Sequence, residues 1–323
     1  MVRAIEIRTT GGPEVMALQR VDVGEPGLGE VRLSHTAIGV NFLDVYHRSG
    51  AYPQSLPFIP GAEGVGVVEA VGSDVIEFKI GDRVAYAGML GSYSEKRLAK
   101  ADRLVRLPDT ISNEVAAAVM LKGMTAQVLL RQVYKVAPGD TILVHAAAGG
   151  LGLIMCQWAA SLGATVIGAV STDEKAEIVR THGCHHAIVY TRENFVDRVK
   201  EITDGRKLPV VYDSVGKDTV AGSLDCLRPR GLLVISGAAS GPVPPIEATA
   251  LAKRGALFVT RAVVFAYIAT RAELEATAAD LFQAVAAGAV KVTINQRFKL
   301  ADAAEAHRGL EGRKTTGATI LSV

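Results

Sequence analysis

Up to about residue 120, apolar positions come in short, partly alternating runs broken by frequent Gly and Pro. "EVRLSHTAIGVN", "GVGVVEAVG", "GDRVAYAG" and "SYSEKRLAK" read as strands, with "GEPGLGE" and "LPFIPGAEG" as turns. This run predicts a partly open β-barrel. From Ser112 the pattern turns helical in "SNEVAAAVMLKGMTAQVLL". Charge then disappears: no Asp, Glu, Lys or Arg lies between Asp140 and Asp173. About 20 apolar residues suffice to span a bilayer, so the stretch is either a membrane helix or the interior of a soluble fold.

Its punctuation favours the interior. "TILVHAA" (Thr141–Ala147) suits a strand buried on both faces, and "AGGLG" (Ala148–Gly152) a tight turn. "LIMCQWAASLG" reads as a helix ending at Gly163, and "ATVIGAV" as a second buried strand. Strand, glycine turn, helix and strand make a βαβ unit of about 30 residues. Further strands are predicted at "HAIVY", "VVYDSVG" and "GLLVISG". A helix follows at "ELEATAADLFQAVAAG", then a strand at "KVTINQRFKL", a helix at "ADAAEAHRGLEGR" and a last strand at "GATILSV". The apolar segment "GALFVTRAVVFAYIAT" (Gly255–Thr270) reads as β structure, and as an exposed edge it would invite pairing with a second copy.

Length and composition add bounds. A chain of 323 residues has room for two domains. Net charge is +2 with 21% charged residues, and Lys and Arg are scattered, so no nucleic-acid footprint is expected. Three cysteines without CxxC spacing fit a reducing compartment. "MVRAIEIRTTGG" lacks the apolar core of a signal peptide, which makes the cytoplasm the expected location.

The turn after the first buried strand is Ala147-x-Gly149-x-x-Gly152, one residue from the GxGxxG dinucleotide fingerprint. Gly149 would admit a pyrophosphate to the helix N-terminus, and Gly152 would let the helix close on the strand. The plainer alternative is tight packing with no ligand. Where an NAD site would place a carboxylate after the second strand, this chain has Ser171 and Thr172, with Lys175 following. Hydroxyls and a cation suit a 2′-phosphate, which favours NADPH over NADH. Ser171-x-x-Glu174 also fits a capping box, with Lys175 a solvated helix residue.

β-barrel first, nucleotide fold in the middle and a C-terminal return together resemble the medium-chain dehydrogenase/reductase superfamily. "GVNFLDVYHRSGAYP" (Gly39–Pro53), "PFIPGAEGVGVVEAVG" (Pro57–Gly72), "GDRVAY" (Gly81–Tyr86), "HAAAGGLG" (His145–Gly152) and "VVYDSVG" (Val210–Gly216) are similar to its zinc-free quinone oxidoreductases, the zeta-crystallin-like branch. The resemblance implies an α/β fold: a Rossmann-type doubly wound parallel sheet at 123–290 and a GroES-like barrel domain from 1–122 and 291–323. In the zinc alcohol dehydrogenases of the superfamily the first of these stretches carries a ligand Cys and the second a ligand His. Here those places hold Asn41 and Ala62, and no cysteine precedes Cys156, so no metal is expected. "HGCHH" (His182–His186) could ligate a metal in principle, but reads as loop decoration because neighbouring side chains diverge along an extended backbone.

The resemblance also implies roles. Asn41 and Tyr46 would lie near the nicotinamide in a cleft between domains, with Tyr52 joining them as groups that stabilise developing oxygen charge. Thr125 would meet the cofactor at the start of a helix. Ala148, Gly149, Gly150 and Leu151 would hold the pyrophosphate, and Ser171, Lys175 and Tyr190 the 2′-phosphate. Val215, Ser236, Gly237, Ala238 and Val263 would flank the nicotinamide ribose, and Arg313 would reach the cofactor. Tyr46 and Tyr52 could equally just pack the barrel rim, and Arg313 could be an ordinary surface charge. The implied activity is NADPH-dependent quinone reduction in a homodimer. Reduction of α,β-unsaturated carbonyls, and a non-enzymatic crystallin or RNA-binding role, stay open as alternatives.

Overall fold

The computed structural model describes residues 1–323. Its strands are, in chain order, β1 (Val2–Ile7), β2 (Met16–Val21), β3 (Glu30–Val40), β4 (Glu63–Val71), β5 (Arg83–Ala87), β6 (Lys96–Lys100), β7 (Val105–Arg106), β8 (Thr141–His145), β9 (Thr165–Val170), β10 (His186–Val189), β11 (Leu208–Asp213), β12 (Leu227–Ile235), β13 (Phe258–Arg261), β14 (Ile294–Lys299) and β15 (Ala318–Ser322). The helices are α1 (Phe42–Ser49), α2 (Asn113–Gln127), α3 (Gly150–Ser161), α4 (Asp173–Arg180), α5 (Phe195–Ile202), α6 (Val220–Asp225), α7 (Ala248–Lys253), α8 (Val264–Tyr267), α9 (Arg271–Ala286) and α10 (Ala303–Glu311). Two compact units result. One comprises Met1–Met124, Ile268–Ala286 and Val292–Val323; the other comprises Thr125–Tyr267 and Ala287–Lys291.

The first unit is built on a seven-stranded sheet in the order β14-β15-β3-β4-β5-β7, with β6 also paired to β3. Alternation along β3 buries Val31, Leu33 and His35 on one face, and the strand then turns fully inward from Ala37 to Val40. Two apolar clusters result, one around Leu33, Val68, Phe78 and Tyr86 and one around Ile5, Ile38, Tyr93 and Leu321. Helix α9 belongs here, and not with the nucleotide fold as the expected 123–290 boundary has it. Its Arg271 guanidinium donates to the carbonyls of Ala101, Asp102 and Leu104. Gly123 of α2 gives its Leu281 side chain room, since a Cβ there would lie 2.4 Å from Leu281.

The second unit is a six-stranded parallel sheet, β10-β9-β8-β11-β12-β13. Counting from β8, this is the 3-2-1-4-5-6 order of dinucleotide-binding folds, with the switch point beside β8. The uncharged stretch is β8, α3 and β9, and the helix buries Leu153, Ile154, Met155, Trp158 and Ala159. No helix is long and apolar enough to cross a membrane. Gly255–Thr270 differs from its reading as one β segment: only Phe258–Arg261 is strand, followed by α8. The ladder stops at Arg261 because its partner residue, Ile235, ends β12. The strand does lie at the sheet edge, with Phe258 exposed.

Candidate active site

Strand β8 ends in a turn in which Ala146 takes a left-handed φ of 50°. Gly149 caps α3 without any side-chain hydrogen bond. The first N–H groups of a helix have no acceptor within it, so the backbone of Gly150 to Gly152 is left pointing out of the helix start. Gly152 is required for closure, since a Cβ there would lie 2.4 Å from the Ala146 carbonyl oxygen and 2.6 Å from Ala147 Cα. Ala147 replaces the first fingerprint glycine, and Gly168 on β9 makes the room: a Cβ at Gly168 would lie 2.9 Å from the Ala147 methyl. An uncapped helix N-terminus at the switch point fits an anionic pyrophosphate. Ala148 is buried, and Leu151 lines a small hollow with Val144, His145, Gly152, Met155, Tyr212, Ser214 and Ser236.

The ends of β11 and β12 run beside this turn. The Asp213 carboxylate accepts the N–H groups of Val215 and Gly216, both at 2.9 Å. Ser223 donates to the same carboxylate at 2.8 Å and lies 3.0 Å from His145 Nε2, which must therefore be the donor of that pair. Burial holds the His145 imidazole below its ordinary pKa, consistent with a neutral ring. Ser236 N donates to the Asp213 carbonyl at 2.8 Å, and a Cβ on Gly237 would lie 2.4 Å from the Ser214 carbonyl oxygen. Val215 and Ser236–Ala238 are thus brought together, with Val263 two residues beyond the end of β13 and exposed. Thr125 departs from expectation. It sits in the last turn of α2, not at a helix start, because the helix that begins at Asn113 runs on through Lys122 and Gly123.

Ser171 follows β9 and Tyr190 follows the adjacent β10, whose N–H bonds the Val170 carbonyl at 3.1 Å. Lys175 lies in the first turn of α4. Ser171 and Tyr190 therefore follow the same ends of paired strands, with Lys175 on the helix that starts just after Ser171. The capping box proposed through Ser171 does not form; Thr172 is the N-cap, its hydroxyl accepting the Lys175 N–H at 3.3 Å. The ladder decides this, because Val170 still pairs with Val189 and holds Ser171 in line with the strand.

In the barrel unit, Asn41 caps α1 and is buried. Its N–H donates to Asp44 at 2.9 Å, and its side-chain amide donates to Glu63 at 2.8 Å. Glu63, fully buried, also accepts from Leu121 N at 2.6 Å and Lys122 Nζ at 3.0 Å. Gly50, at φ 83°, turns the chain back after α1. That reversal sets the Tyr52 ring 4.9 Å from Tyr46, which in turn meets Phe42 at 5.2 Å. Arg313, at φ 56°, is exposed just after α10.

Residues 27–109 match the family described as alcohol dehydrogenase GroES-like domain, and residues 150–297 the one described as zinc-binding dehydrogenase. Over 323 residues the chain is 54% identical to a quinone oxidoreductase of Pseudomonas aeruginosa, covering 99% of both. The chain belongs to the quinone oxidoreductase family, within the medium-chain dehydrogenase/reductase superfamily. It is also 48% identical, over 99% of each chain, to a 2-haloacrylate reductase of a Burkholderia species. The crystal structure of Escherichia coli quinone oxidoreductase complexed with NADPH superimposes with a TM-score of 0.98 at 46% identity, covering 99% of this chain and 100% of that one.

For a quinone oxidoreductase in a superfamily with zinc enzymes, the donor set matters. Position 41 holds an amide bonded to Glu63, position 62 a methyl group, and no group of three or more His, Cys, Asp or Glu side chains converges. In "HGCHH" the side chains go separate ways. His182 bonds the Ile178 carbonyl at 2.7 Å, His185 accepts Val166 N–H at 3.0 Å, and the Cys184 thiol reaches the His186 carbonyl at 3.1 Å.

Sequence reasoning missed a buried polar chain behind Asn41. Tyr93 donates to Asp44 at 3.0 Å and lies 3.0 Å from His307 Nε2; Arg48 makes a two-pronged pair with Glu311 at 2.7 and 2.9 Å. Burial raises the Asp44 carboxyl to about 7 and lowers His307 to about 3. The only local signal was the helical spacing of Asp44 and Arg48 after Asn41. Tyr93 and His307 come from distant parts of the chain.

Proposed function

We propose that this oxidoreductase is an NADPH-dependent quinone reductase that works without a metal. The observation that carries it is the pairing of an uncapped α3 N-terminus at the sheet's switch point with Ser171, Lys175 and Tyr190 at the neighbouring strand ends. The NADPH complex of the E. coli relative supports the same cofactor. When bound, NADPH supplies a hydride. The backbone of Ala148–Leu151 binds the pyrophosphate, and Lys175 and Tyr190 hold the 2′-phosphate. Val215, Ser236–Ala238, Val263, Thr125 and Arg313 orient the remainder. Asn41, Tyr46 and Tyr52 hydrogen-bond the quinone oxygen as it gains charge. A quinone is already electron-poor, so no Lewis acid is needed to polarise it. NADPH oxidation with 1,4-benzoquinone and 9,10-phenanthrenequinone tests this; turnover of neither rejects it.

The similarity to a 2-haloacrylate reductase favours a second reading, reduction of an α,β-unsaturated carbonyl. Tyr46 or Tyr52 would then protonate the α-carbon. A 2-alkenal or 2-chloroacrylate consumed far faster than either quinone would select it. The assembly we infer is a homodimer formed across the β13 edge, where Phe258 is exposed; a monomer mass by light scattering counts against it. Three unpaired, buried cysteines suit the cytoplasm as its location.

A further inference from the structure

An exposed ion pair lies beside the residues proposed for the 2′-phosphate. Arg192 Nη2 stands 2.6 Å from Asp173 Oδ1, and both side chains are more than half exposed. Asp173 opens α4, between Ser171 and Lys175. Arg192 lies two residues beyond Tyr190, in a turn tied to the end of β9. Thr191 Oγ1 donates to the Ser171 carbonyl at 2.9 Å, and Arg192 N donates to the Val189 carbonyl at 2.9 Å. The pair therefore bridges the two segments that carry the proposed phosphate ligands.

Its chemistry is not neutral toward cofactor choice. A carboxylate after the second strand is what an NAD site uses for the ribose hydroxyl, and it repels a 2′-phosphate dianion. Asp173 and Glu174 supply two such charges here, and Lys175 is the one cation among the proposed phosphate ligands. Glu174 bonds Thr172, which keeps its carboxyl ionised by holding it below its ordinary pKa. Arg192 is the group that offsets Asp173.

We propose that Arg192 is a specificity-determining residue: it masks Asp173 at the start of α4, and so lets the neighbouring site accept NADPH. The inference rests on the NADPH reading above. In the absence of Arg192 the Asp173 carboxylate faces the phosphate unneutralised, while the hydroxyl of NADH meets no such penalty. If the contact is merely a surface ion pair, it carries little energy and its loss affects both cofactors alike.

The test is titration of NADPH and NADH, by nicotinamide fluorescence, into wild type, Arg192→Ala, Asp173→Asn and the double variant. Arg192→Ala should weaken NADPH about 10-fold, the scale of one charge-assisted contact, and leave NADH unchanged or tighter. Asp173→Asn in the same background should restore most of the NADPH affinity, because no charge is left to mask. The Arg192→Ala deficit should also shrink as salt is raised. Equal changes for both cofactors, no change for either, or a double variant as weak as Arg192→Ala would each overturn the masking role. Wild type binding both cofactors equally would instead reject the NADPH reading itself, before any variant is compared.

Discussion

At the scale of single residues, Lys175 makes the sharpest case. The helix cap uses its backbone N–H, which bonds Thr172, so the side chain can be removed without touching the cap. Lys175→Ala should weaken NADPH by roughly 10- to 150-fold, the value of a charge-assisted hydrogen bond, and barely affect NADH. Thr172→Ala should do the reverse: about 1 kcal/mol of stability lost, seen in urea denaturation, with cofactor preference kept. Both hydroxyls before α4 were legible as phosphate candidates, and Ser171 as a cap. Choosing Thr172 over Ser171 was not, because it depends on where the β9–β10 ladder ends.

At the scale of elements, the β8–α3 turn shows how a departure from a fingerprint is absorbed. Ala147 is fully buried, and its methyl occupies space that Gly168 leaves open on the neighbouring strand. Gly168→Ala would put a Cβ 2.9 Å from that methyl and 2.8 Å from Cys184 Sγ. Overpacking of this kind costs about 1–3 kcal/mol. Denaturant titration should show part of that loss recovered in Gly168→Ala/Ala147→Gly, a non-additivity expected only of residues in contact. Additive losses would mean that the methyl is not what Gly168 accommodates. The strand, turn and helix themselves were visible in the alternation of apolar runs and glycines. The compensation was not, since residues 147 and 168 meet only across paired strands.

For the whole molecule, buried titratable groups set the pH dependence of stability. Burial lowers His35 to about 4 and His307 to about 3, from an ordinary 6.5. A depressed histidine binds fewer protons folded than unfolded, so its stability contribution is present above 6.5 and is lost as pH falls below it. Asp44 is raised from 3.8 to about 7, and so works in the opposite sense: its ionisation costs stability as pH rises between those values. His47, His145 and His186 are lowered by burial as well, so the depressed histidines outweigh the one raised aspartate and stability is lost as pH falls below 6.5. Urea midpoints measured from pH 7.5 to 4.5 should fall accordingly, and His307→Gln should flatten the slope. A midpoint that rises on acidification would show that Asp44 dominates.

Local periodicity and local chemistry alone were enough for several features. These are the βαβ unit and its glycine turn, the strand-rich first third, and the amide and methyl at positions 41 and 62. Each depends on neighbours a few residues away, where backbone geometry and side-chain type act directly. Tertiary structure decided what depends on residues that meet only after folding. It gave α9 to the barrel unit through Arg271 and Leu281, ended the strand within Gly255–Thr270 at Arg261, opposite the end of β12, and put Thr125 at the end of its helix. It also assembled Asp44, Tyr93 and His307 behind Asn41 from three distant segments. Burial there removes water from all of these groups at once, and each must then find its hydrogen-bond partner wherever the fold supplies one.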